Sequence, residues 1–149
     1  LPIEQFEQGS KRVSGTISNE QALIYVMVMM SVVEGHINPD ELSEIELLIR
    51  RLPAFKSFDR ARLATIAREC GDILEEKEGM KTVLALVTKQ LPHRLKETAY
   101  ALAVEVAASD LVVGKEELRF LAILRDALGL DKLVTAALER SAIARYQAV

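Results

Sequence analysis

The sequence predicts an all-α fold: a single-domain helical bundle of about seven helices, built from two pseudo-twofold-related helical hairpins. Three observations carry this. Apolar residues recur at helical spacing from about residue 19 onward. No stretch alternates with period two, as a half-buried strand would. Two segments, VVEGHINPDELSEIELL from Val32 and ASDLVVGKEELRFLAIL from Ala108, repeat one order of parts. Each runs from an apolar helix through a carboxylate and a short loop to a second carboxylate, then into an amphipathic helix.

The elements follow in order. Residues 1–18, mixed and polar (EQGSKRVSGTIS), read as an N-terminal arm or one short helix ahead of a helical domain over 19–149. Ser18 or Asn19 can cap a first helix that runs to about Gly35. Asn38 and Pro39 start a second, with Leu42, Ile45, Leu48, Ile49 and Leu52 on one face, and Pro53 ends it. Ser57 or Asp59 opens a third along Leu63, Ile66, Ala67, Cys70, Ile73 and Leu74. Met80, Val83, Leu84 and Val87 mark a fourth. Pro92 starts a fifth. Leu118, Leu121, Leu124 and Leu128 mark a sixth, closed by Gly129. Asp131 caps a seventh, with Leu133, Val134, Ala137 and Leu138 facing inward.

Composition narrows the function classes. The chain has 149 residues, half of them hydrophobic and 28% charged, a globular profile for one domain. A net charge of −3 gives no basic footprint, so nucleic acid is not an expected partner. A single cysteine cannot form an internal disulfide, and no signal peptide is read; a cytoplasmic setting is expected. The most apolar stretch, Ala22 to Val33, is twelve residues long. A spanning helix needs ~20, so no direct membrane insertion is expected.

The two acidic segments align when 76 is added to the residue number. Glu34 then falls on Asp110, Asp40 on Glu116, Glu41 on Glu117, Leu42 on Leu118, Leu48 on Leu124 and Leu52 on Leu128. Five positions are identical between Ala22–Leu52 and Thr98–Leu128, so the likeness rests on the order of parts.

At these residues the sequence resembles the tellurite-resistance protein B (TerB-like) family. That family's signature, A-x-A-D-G-x-[hydrophobic]-x-x-x-E-x-x-x-[hydrophobic], occurs once in each half of an all-helical domain. The likeness covers roughly residues 19–148. The first copy has Glu34 where aspartate is usual but keeps Gly35; the second keeps Asp110 but has Leu111 where glycine is usual. Both departures alter side-chain reach or backbone freedom. The resemblance implies a small cytoplasmic bacterial protein linked to tellurite resistance and stress responses. It also implies a metal-linked interaction module with no established catalytic reaction, whose protein partners include a membrane-associated stress-response complex.

Glu34 and Asp110 stand at helix carboxyl ends, where the macrodipole disfavours negative charge by ~0.3–1 kcal/mol. A hard divalent cation, Ca²⁺ or Mg²⁺, would offset that, with Glu34, Glu41, Asp110 and Glu117 as ligands and Asp40 and Glu116 in outer roles. Like charges ~4 Å apart cost about 4 kcal/mol at an effective dielectric near 20, so converging pairs need a cation or solvent between them. Neither loop has the EF-hand ligand ladder. A plainer role competes for the same side chains. Asn38-Pro39-Asp40-Glu41 is a capping-box pattern, Gly114-Lys115-Glu116-Glu117 is a poorer copy, and Asp110 can accept hydrogen bonds from loop amides.

Other residues carry weaker signals. His36 can join Glu34 in a transition-metal site but has no second histidine or cysteine nearby. His93 reads as a surface residue, and Glu75 to Gly79 as a solvated helix end. Cys70 reads as a buried, inert thiol, and Met27, Met29 and Met30 as core. Three functions compete: a non-enzymatic binding module, a purely structural adaptor whose acidic turns only cap helices, and an enzyme. The first is preferred. The sequence shows no nucleophile–base pair, phosphate-cradling glycine loop or open metal centre.

Overall fold

The computed structural model describes residues 16–35, 38–109 and 113–149, which form seven α-helices, two 3-10 turns and no strand. The helices are α1 (Asn19–Glu34), α2 (Pro39–Arg51), α3 (Leu63–Leu74), α4 (Gly79–Gln90), α5 (His93–Ala108), α6 (Lys115–Leu128) and α7 (Lys132–Arg145). The all-helical expectation therefore holds for the described residues.

α1 begins with a complete capping box. The Gln21 amide donates to Ser18 Oγ at 3.1 Å, and the Ser18 amide donates to Gln21 Oε1 at 2.8 Å. Every residue from Ala22 to Ser31 is buried, because α2, α3, α4, α5 and α6 all pack on this one helix. That is why it lacks a polar face. The buried Ser31 Oγ donates to the Met27 carbonyl at 3.1 Å and so stays satisfied.

α5 is the second central helix. It packs most extensively on α1, and α2 and α6 each touch both central helices. Two hydrogen bonds fix its direction. Gln90, the last residue of α4, donates to Asn19 Oδ1 at 2.9 Å, holding the start of α5 near the start of α1. Ser109, just past the end of α5, lies 3.0 Å from Glu44 Oε1 on α2, the helix that follows the end of α1. The two central helices therefore run in the same sense.

Beyond this pair, α3 and α4 close over α1, and α7 closes over α5. α3 meets α4 through a tight bend. Glu78 takes a left-handed φ of 61°, and Gly79 sits buried against the carboxyl end of α3. α7 buries only Thr135 and Ala142 fully and is tied to α5 by polar contacts. Tyr146 Oη donates to Glu105 Oε1 at 2.9 Å, Arg145 pairs with the same carboxylate, and Tyr100 Oη donates to Glu139.

Several boundaries and faces differ from the sequence expectation. Asp59 accepts from the Ala61 amide at 3.1 Å and caps a 3-10 turn, Arg60–Arg62, so the third α-helix starts only at Leu63. Pro92 occupies the cap of α5, with extended backbone, and the first helical residue is His93. Asp131 stands at the cap of α7, but its side chain makes no capping hydrogen bond. Leu118 is 57% exposed and Leu133 76% exposed, and Ala137 also faces solvent. On α6 the buried stripe runs through Phe120, Leu121, Leu124 and Leu128 instead. α7 is rotated by its polar links, so the face holding Thr135, Leu138 and Ala142 turns inward.

Candidate functional site

The first acidic bend is built by a glycine stop and an asparagine start. Glu34 closes α1, and Gly35 takes φ 152° and ψ −64° while its amide donates to the Val32 carbonyl at 3.1 Å. That backbone lies in the region glycine tolerates best. Asn38 then caps α2, its Oδ1 accepting from the Glu41 amide at 3.0 Å, with Pro39 at the first helical position. Glu34 and Glu41 are both half-buried, and one oxygen of each, Oε2 and Oε1 respectively, is out of solvent contact.

The second bend is built differently. Gly114 caps α6 without a side chain to offer, and Glu117 leans back over it. A Cβ placed on Gly114 would sit 2.7 Å from Glu117 Oε1, so the missing side chain is what leaves room for the carboxylate. Glu116 is exposed and Glu117 half-buried. Asp110 and His36, the other sequence-expected ligands, lie outside the described residues.

The parallel run of α1 and α5 puts the carboxyl ends of both helices, with Glu34 and Ser109, at one pole of the bundle. Ser109 supplies the physical link, since its hydroxyl is shared between Glu44 Oε1 at 3.0 Å and the Val106 carbonyl at 2.8 Å. Helix dipoles balance there. Neither α1 nor α5 has a basic residue in its last turn, while Asp40, Glu41, Glu116 and Glu117 occupy the first turns of α2 and α6, where negative charge is favourable. Among the described residues, no three His, Cys, Asp or Glu side chains gather as a metal group.

The other sequence-flagged side chains fall into place. Cys70 is fully buried, its Sγ 3.9 Å from the Tyr25 carbonyl oxygen, and burial pushes the thiol from 9.0 up to about 12. A thiol so protonated is a poor nucleophile at neutral pH. Met27, Met29 and Met30 are fully buried core, and His93 is exposed. Sequence reasoning missed the Glu105–Arg145–Tyr146 cluster, since its members lie about 40 residues apart and no local pattern pairs them. No family model, no curated protein and no solved structure matches the chain.

Proposed function

We propose that this chain is a non-enzymatic interaction module whose acidic pole docks a partner protein and takes up a divalent cation, Ca²⁺ or Mg²⁺, between its two bends. One observation supports the reading: the hydrogen bonds Gln90–Asn19 and Ser109–Glu44 mark a parallel run of α1 and α5, so Glu34 and the carboxyl end of α5 lie toward the same end of the molecule. The ligands would come from Glu34, Glu41, Asp110 and Glu117. The resemblance to the TerB-like family extends the reading to tellurite resistance or another cytoplasmic stress response, with a membrane-associated complex as the partner. The competing adaptor reading, in which the turns only cap helices, is favoured by the Asn38 cap on Glu41.

Thermal unfolding separates the two. A cation at ~100 times its dissociation constant should add about 2.7 kcal/mol to the folded state. The module predicts a rise in Tm with millimolar Ca²⁺ or Mg²⁺ that disappears in the Asp110→Asn, Glu117→Gln double variant. An unchanged Tm with Ca²⁺, Mg²⁺, Mn²⁺ and Zn²⁺ alike would leave only the adaptor. Phosphate esters and tellurite should remain unturned over by the purified chain.

A further inference from the structure

A second surface lies at the other end of α2, and its charge is opposite. Between the second half of α2, α5 and α7 runs a trough of about 520 Å³ floored by Leu48, Leu52, Leu102 and Leu138. Around the turn that follows α2 opens a cleft of about 820 Å³ lined by Arg50, Arg51, Lys56 and Arg60, with no acidic side chain in its wall. Arg51 and Leu52 line both, so the trough leads directly into the cleft.

The cleft's charge is only partly used by the fold. Arg50 and Arg51 complement the carboxyl end of the α2 dipole, and Arg50 pairs with Glu46 at 3.4 Å. Arg51, Lys56 and Arg60 are exposed and form no ion pair with the described residues. The one carboxylate in this stretch, Asp59, is directed at the Ala61 amide. Gathering these cations costs repulsion that an anionic partner would remove.

The geometry points to an acidic amphipathic helix of a partner protein, its apolar face in the trough and its carboxylates in the cleft. The apolar arm matches the helix-in-groove mode, with anchors at i, i+3, i+4 and i+7, and the basic arm supplies complementary charge. A membrane surface fits less well. Phe55 is 4% exposed and edge-on to half-buried Phe58, and none of the large exposed apolar side chains lines the cleft. A nucleic acid would meet apolar floor and the Glu105 carboxylate where it needs continuing positive charge, on a chain of net charge −3.

This surface is separate from the acidic pole, and its test is independent of cations. The probe is a fluorescein-labelled synthetic helix with leucine at i, i+3, i+4 and i+7 and glutamate elsewhere, read by anisotropy in the presence of EDTA. Binding should weaken as salt rises. It should fall by about tenfold or more in Arg51→Glu with Arg60→Glu and in Leu138→Ser, each checked for an unchanged circular dichroism spectrum. Should either variant unfold, Lys56→Glu and Leu48→Ser probe the same two arms. The proposal is overturned if the glutamate helix does not bind. It is equally overturned if a leucine–lysine helix binds as well, or if binding survives the charge reversals. Tighter binding of phosphatidylglycerol vesicles or a single-stranded oligonucleotide would assign the cleft to those partners instead.

Discussion

Gly79 shows how much one side chain can decide. A Cβ there would lie 2.2 Å from the Ile73 carbonyl oxygen and 2.7 Å from Leu74 Cα. Both are backbone atoms, so no rotamer can relieve the clash. Gly79→Ala should therefore cost about 3 kcal/mol or more, or prevent folding, as read by urea denaturation. Cys70 makes a subtler contribution through pH. In the folded chain its thiol holds its proton up to about 12, whereas the ordinary value is 9.0. The unfolded chain loses that proton first, so the stabilisation is complete below pH 9 and is lost as pH rises toward 12. Tyr100, raised by burial and then by its hydrogen bond to Glu139, acts in the same direction above pH 10. Stability measured between pH 9 and 10 should fall, with a slope of up to about 1.4 kcal/mol per pH unit, and Cys70→Ala should remove most of that slope.

At the scale of elements, the two acidic bends look alike in sequence and are held differently. Asn38 accepts the Glu41 amide, so Asn38→Ala should cost about 1 kcal/mol in chemical denaturation. Gly114 offers no such bond, and its neighbour Glu117 Oε1 is the far end of a flexible chain. Gly114→Ala should therefore change stability by less than about 0.5 kcal/mol while swinging Glu117 away from the bend. If that carboxylate is a ligand, the same substitution weakens any cation-dependent rise in Tm. That a helix follows Asp131 is legible from the apolar spacing of Val134, Ala137 and Leu138, but its inward face is not. Leu133 looks like core by spacing and is 76% exposed, because contacts to Glu105 and Tyr100 on α5 set the rotation.

For the whole molecule, α2 connects two opposite surfaces. Its thirteen residues span about 20 Å. Glu41 stands at one end by the acidic pole, and Arg51 at the other where trough and cleft meet. Such separation orients approaching partners through the summed field, even though the net charge is only −3. That small total is also why the basic cleft escapes a composition argument. Its signal, RRLPAFKSFDR, is local: four cations and one acid within eleven residues, cancelled in the sum by acids elsewhere.

The helices, most of their ends and the main core stripes follow from sequence, because periodicity and capping act between residues a few positions apart. Asn38, Pro39, Gly35 and Gly129 set boundaries by their own backbone chemistry, and the all-apolar Ala22–Met30 run could only be a helix enclosed by others. Tertiary structure decided what those neighbours cannot encode. The shared direction of α1 and α5 depends on Gln90 meeting Asn19, 71 positions away, and Ser109 meeting Glu44, 65 positions away. The trough that leads into the cleft exists because α7 packs on α5 and faces the end of α2 across it. Such contacts form only once the chain has closed on itself, so no short window of sequence contains them.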